Sequence, residues 1–205
     1  MKMKTRYAAW SVALALTAIT SGIAVAGVEA IDGSNVAAGS YEIDPSHASV
    51  AAKVDHLGFS TTTVRFPKLA GRLTYDPAHP EASTVDVTID TASLTSDWAA
   101  RDAELRGASF FNTAAFPTAR FTASALTPVD ASHARVSGQL TLLGVIKPVV
   151  LDVTLRGTGT GMMGDRRIGF EGHISIMRSD FGMKTFLPAI GDKVDVVIDA
   201  EFTKK

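Results

Sequence analysis

The chain has 205 residues, with 20 Lys+Arg against 21 Asp+Glu and no cysteine. That length suffices for one domain with a sizeable core. The balanced charge gives no basic footprint for nucleic acid. The missing thiols exclude disulfides, thiolate metal sites and a lipid-modified N-terminal cysteine.

At the N-terminus, Lys2, Lys4 and Arg6 precede an uncharged stretch from Tyr7 to Val28, and Ala24-Val25-Ala26 offers a small-x-small pattern before Gly27. This is the three-part layout of a secretory signal peptide over residues 1–26, with Val28-Glu29-Ala30 as a second cut. The stretch is long enough for a membrane anchor, but its small residues and cleavage pattern favour removal. Removal takes away three positive charges and no negative ones, leaving 17 Lys+Arg against 21 Asp+Glu, a net charge of −4. The expected location is a bacterial periplasm. Residues 27–40, "GVEAIDGSNVAAGS", read as a flexible lead-in, and residues 41–205 as the folded domain.

From Tyr41 on, period-2 alternation dominates. Val85, Val87 and Ile89 point one way in "STVDVTIDT"; Val149, Leu151, Val153 and Leu155 do so in "VVLDVTLRG"; Val194, Val196, Ile198, Ala200 and Phe202 do so in "KVDVVIDAEF". One buried and one wet face is the mark of an antiparallel sheet. Further strands are expected near 49–55, 59–64, 69–75, 119–127, 133–142 and 168–177, separated by Gly- and Pro-containing turns. Eight or nine short strands suit either a sandwich or a closed up-and-down barrel.

Residues 96–107 interrupt the pattern. Ser96 can cap a helix, Asp97 suits its positive end and Gly107 its stop. Trp98, Arg101, Asp102 and Leu105 fall on one helical face. Arg101 and Asp102 are therefore expected to be partly buried and to need partners, each other among them. Glu104 and Arg106 read as solvated.

Motifs for chemistry are sparse. "GTGMMG", residues 159–164, matches a phosphate-loop pattern, but a strand rather than a helix follows, so it reads as a hairpin loop. The five histidines form no closely spaced metal pair, and no serine stands in a nucleophile-elbow pattern. The aromatic residues Phe59, Phe66, Trp98, Phe110, Phe111, Phe116, Phe121, Phe181 and Phe186 lie mostly at strand ends and around the helix. Core packing accounts for most of them. The same arrangement also closes a barrel end over an apolar cavity.

"YEIDPSHASV", "HLGFS", "GRLTYDP", "RDAELRGASFFNTAAFPTARFTAS", "GQLTLLGVIKPVVLDV" and "RSDFGM" occur in this order. Together they resemble the YceI-like family of polyisoprenoid-binding, lipocalin-like proteins, across about residues 41–203. The resemblance implies an all-β fold, an eight-stranded antiparallel up-and-down barrel with one short helix closing an end over a long apolar pocket. It implies a periplasmic protein that holds an isoprenoid quinone, a polyprenyl chain or a similar lipid. Arg101, Asp102 and Leu105 match the family's helix motif; Phe110, Phe111, Phe116 and Pro117 its aromatic block; and Arg178, Phe181 and Gly182 its R-x-D-F-G motif. Ala52 and Arg65 depart from the family's usual Phe and Gly, which bears on pocket width.

The expected function is a non-enzymatic lipid carrier with no cofactor beyond the lipid it holds. Its expected cavity lining is Phe59, Phe66, Trp98, Phe110, Phe111, Phe121, Phe181 and Met183, with Arg101 and Asp102 bracing the helix or meeting a head group. Two rivals stand beside it. One is an enzyme on a small amphipathic substrate with His56 or Asp102 as general base; the other is a stress-related interaction module. Transient membrane contact and a homodimer are compatible partners, although no dimer motif is present.

Overall fold

The computed structural model describes residues 27–28 and 32–205; the expected signal peptide lies outside them. The strands are β1 (Gly27–Val28), β2 (Gly39–His56), β3 (Ser60–Phe66), β4 (Leu69–Tyr75), β5 (Thr84–Asp90), β6 (Thr118–Pro128), β7 (His133–Leu142), β8 (Val145–Thr160), β9 (Arg166–Met177) and β10 (Ile190–Lys204). The one α-helix among the described residues is α1 (Ala99–Arg106).

Every neighbouring pair is antiparallel, and the order β2-β4-β5-β6-β7-β8-β9-β10 returns to β2. The sheet is therefore a closed eight-stranded barrel, which settles the choice that alternation left between barrel and sandwich. Closure removes the exposed edges of an open sheet. The inward sets read from the alternation of β5, β8 and β10 do face the lumen: Val87, Leu151 and Ile198 line one cavity there.

One stave is broken, and the break positions the helix. β3 pairs with the second half of β2, from Val50↔Phe66 to His56↔Ser60, while β4 pairs with the first few residues of β2. Pro67 and Lys68 interrupt what would be one continuous strand, because proline has no N–H for a ladder. β5 follows β4 only, so the far edge of β3 is left to the segment 91–117. Arg65 and Thr95 exchange backbone hydrogen bonds of 2.8 and 2.9 Å there. The base of this segment is fixed by Thr91, whose hydroxyl donates to the Phe116 carbonyl at 2.7 Å, and by Leu94, which is fully buried.

The opposite end is closed by the lead-in. Gly33 N–H donates to the Ala131 carbonyl (2.8 Å), the Tyr75 hydroxyl donates to the Gly33 carbonyl (3.1 Å), and Val36 and Tyr41 are buried. Gly161 to Asp165 form the β8–β9 turn, with Met162 and Met163 exposed at its tip and β9 following. No helix receives an anion there, in agreement with the hairpin reading of "GTGMMG".

Candidate functional site

The lumen holds two chambers in line. The inner one is a cavity of about 170 Å³, and every side chain lining it is apolar. Phe121, Phe170 and Phe202 contribute, the last two meeting edge to face at 6.1 Å. The second, of about 460 Å³, lies at the α1 end and is mostly apolar, with His56, Thr62, Arg101, Glu104 and Arg178 among its lining residues. Both use the same inner faces. On β2, Val50 lines the inner chamber and Ala52 and Val54 the mouth; on β10 the boundary falls between Val196 and Val194. Phe66 and Phe111 meet at this level, edge to face with ring centroids 5.3 Å apart.

Two loops clasp over the mouth. The Thr185 hydroxyl donates to the Ser109 carbonyl at 2.9 Å, and Phe110 lies against Phe186 at 6.0 Å. The loop after β9 is organised by Arg178, which is 4 % exposed. Its guanidinium donates to the carbonyls of Gly191 (2.8 Å), Met183 (3.0 Å) and Ile190 (2.9 Å). Burial pushes its pKa down, with the Asp192 charge opposing that shift. Asp192 in turn accepts from Ser179 N–H (2.8 Å) and hydroxyl (2.6 Å). Gly182 has φ +87°, a left-handed conformation that costs a side-chain-bearing residue and not glycine. Arg178 and Gly182 of the R-x-D-F-G motif are thus loop-forming residues.

Arg101 and Asp102 do not pair directly with each other, one of the possibilities that the sequence left open. Asp102 is buried and accepts from Ser96 N–H (2.7 Å), the Ser96 hydroxyl (2.5 Å) and the Thr95 hydroxyl (3.2 Å). The Ser96 hydroxyl above all holds the Asp102 carboxyl below the usual range. Arg101 donates Nε to the Ser96 hydroxyl oxygen (2.7 Å) and Nη2 to the Ser96 carbonyl (2.6 Å), and lies 5.5 Å from the Trp98 ring centroid. The two charges are linked through Ser96. Ser96 does not cap α1: Asp97 sits at φ +61°, so the chain turns before Trp98 and the helix starts at Ala99. Arg106, expected in solvent, donates to the carbonyls of Ala92 (2.9 Å) and Leu94.

Asp102→Asn is therefore expected to lower the melting temperature by several degrees. Its depressed carboxyl gives wild type a stability present above the unfolded aspartate pKa of about 3.9 and lost as pH falls below it. Thermal melts from pH 7 down to pH 3 should show the gap between wild type and variant narrowing in acid. A gap independent of pH would show that the Asp102 charge contributes nothing.

Among the other expected lining residues, His56, Trp98, Leu105, Phe110, Phe111 and Met183 meet at the mouth chamber, while Phe121 lines the inner one. Phe66 and Phe181 are buried core. Phe116 lines neither chamber and packs over Gly144 instead. Phe59 is a correction: it stands 88 % exposed at the tip of the β2–β3 turn. There Leu57 and Gly58 both take positive φ, which carries Phe59 off the inward register. Leu57, Phe59, Trp98 and Phe186 form an exposed apolar rim at this end. Sequence reasoning missed most of the inner lining as a site, although its period-2 signal was plain, because an inward aliphatic residue reads the same whether it meets a core or a cavity.

Asp44, His47 and Glu201 cluster at the other end. Arg167 Nη1 reaches both carboxylates, Asp44 at 2.8 Å and Glu201 at 2.9 Å, so an internal cation already bridges them.

Residues 41–202 match the YceI-like domain. The chain is also 41 % identical over 171 residues to Protein YceI of Escherichia coli O157:H7, covering 82 % of this chain and 88 % of that one. This protein belongs to the YceI-like family. The crystal structure of Burkholderia cenocepacia BcnA shares the fold of this YceI-like chain (TM-score 0.71, 24 % identity, 78 % of this chain and 98 % of that one). A polyisoprenoid binding domain from Saccharophagus degradans, implicated in plant cell wall breakdown, does so too (TM-score 0.65, 18 % identity, 80 % and 98 %). Family membership accounts for the order of motifs in the sequence. The pocket it implies corresponds here to two separate chambers.

Proposed function

We propose that this protein is a periplasmic carrier that holds an isoprenoid-type or similar long-chain amphipathic lipid, with its chain in the lumen and its polar head at the mouth. The observation that carries this reading is the inner chamber, which lies within a closed barrel and is lined wholly by apolar side chains. Such a cavity stays dry and favours apolar occupants. Each buried methylene contributes about 0.8 kcal/mol, so a prenyl chain needs few polar contacts to bind. The polar lining groups are confined to the mouth. Arg101, His56 and Thr62 stand there as hydrogen-bonding groups, which suits a polar head with hydrogen-bond acceptors, such as a quinone.

The Saccharophagus domain's description as polyisoprenoid-binding supports the same ligand class. The leader pattern of residues 1–26 supports export. Exchange with a membrane would take place at the end where Leu57, Phe59, Trp98 and Phe186 stand exposed.

Binding rather than catalysis fits the lining groups. Asp102, a candidate base from the sequence, has both carboxylate oxygens engaged by Ser96 and Thr95. The test is native purification, solvent extraction and mass spectrometry of whatever is bound. A reproducible isoprenoid or long-chain lipid is expected. Protein that is repeatedly lipid-free, and that takes up neither ubiquinone nor polyprenol, would falsify the reading.

A further inference from the structure

The inner chamber is too small for a long chain by itself. An engineered apolar cavity of about 150 Å³ takes one benzene. A chamber of about 170 Å³ therefore holds little more than one isoprene unit. A longer chain that enters it must also occupy the mouth chamber, and on its way must cross the level where Phe66 and Phe111 meet.

The two rings differ in how they are held. Phe66 is on β3, directly paired with Val50 of β2, and is 5 % exposed. Phe111 belongs to no strand. It packs against two buried clusters, one containing Phe66 and Leu94 and the other containing Ala119, Leu142 and Phe181. Its backbone N–H donates to the Leu105 carbonyl at 2.9 Å, at the end of α1, and the next residue, Asn112, has φ +42°. The ladder fixes the backbone of a strand residue, so its side chain moves by rotamer change alone, whereas a loop side chain moves by rotamer or with its loop.

We propose that Phe111 is the specificity-determining residue of the lumen: it divides the tail chamber from the mouth chamber and admits a lipid chain only by swinging aside from Phe66. Short prenyl compounds then bind in the mouth alone. Chains longer than the mouth chamber bind slowly, because entry breaks the Phe66–Phe111 contact, and they hold the ring aside while bound. The inference rests on the lipid-carrier reading and adds to it a rule for chain length.

Trp98 lines the mouth and is the one tryptophan among the described residues, so its fluorescence reports arrival of either kind of probe. Stopped-flow mixing of the whole mature protein with geraniol, a ten-carbon prenyl alcohol, and geranylgeraniol, a twenty-carbon one, tests the proposal. In Phe111→Ala, association of geranylgeraniol should accelerate by about three- to tenfold, for the one edge-to-face contact that entry no longer breaks. Geraniol, whose mouth site also contains Phe111, should accelerate markedly less than geranylgeraniol. Phe111→Leu keeps the site filled and should give a smaller acceleration of the same kind; it serves if the alanine variant folds poorly. Unchanged geranylgeraniol rates with binding intact would overturn the division by Phe111, and so would equal acceleration of both probes. Failure of wild type to bind either probe would instead remove the carrier reading on which the division depends.

Discussion

Gly172→Phe is expected to abolish tight binding of long prenyl lipids while leaving the fold intact. Gly172 is an inward position of β9, paired with Ile198 of β10 and Val153 of β8, and it lines the inner chamber. A Cβ there would lie 3.5 Å from the Ile198 side chain and 3.8 Å from Leu151, ordinary van der Waals separations. A phenyl ring is about the size of the benzene that a cavity of about 150 Å³ accepts, so the new side chain occupies the space assigned to the lipid tail. Burying it contributes about 1.5–3 kcal/mol, offset in part where the fit is imperfect. The apo melting temperature should hold or rise. Affinity for a long prenyl lipid should fall by about a hundredfold or more, equivalent to about 2.7 kcal/mol. Gly172→Ala, whose Cβ fits without displacement, should bind nearly as wild type. Full affinity in the phenylalanine variant, measured by lipid titration, would place the chain outside the inner chamber.

Arg178→Met should cost stability more than any single apolar truncation at the mouth. The substitution keeps much of the side chain's length and removes the guanidinium. The carbonyls of Met183, Ile190 and Gly191 then lose their donors together, each in a partly or fully buried setting. An unmet buried carbonyl costs about 1–3 kcal/mol, so a loss of about 3–5 kcal/mol is expected in denaturant unfolding. Arg178→Lys should recover little of it, because an ammonium cannot reproduce the planar fork that reaches three acceptors. Ser179→Ala, which removes one of the two Asp192 contacts, should cost much less. A lysine variant as stable as wild type would mean that charge alone, and not the fork, holds the loop.

These two residues differ in how legible they were. Arg178 was visible as part of a motif, but its role was not. An arginine beside an apolar pocket suggests a head-group ligand, and only the fold brings three carbonyls from two other parts of the chain around it. Gly172 carried no signal, because a glycine in a strand is equally a bulge, a close approach or a vacancy. Asp102 lay between these cases. Helical spacing placed it correctly on the buried side. Its partner could not be read there, because the left-handed Asp97 turns Ser96 back over the helix start, and backbone of that kind at a non-glycine residue leaves no periodic trace.

The sequence by itself determined the antiparallel strands, their inward faces, the short helix after β5 and the family. Period-2 hydrophobicity and turn chemistry are local properties, each written within a few residues. Tertiary structure decided what no local pattern contains. It closed the barrel through β10, which pairs with both β2 and β9. It broke one stave at Pro67 and seated the segment 91–117 beside the vacant edge. It also set Phe66 against Phe111, residues 45 positions apart. Whether inward aliphatic residues enclose a solid core or a chamber depends on how far apart the walls stand. Strand number and closure set that distance.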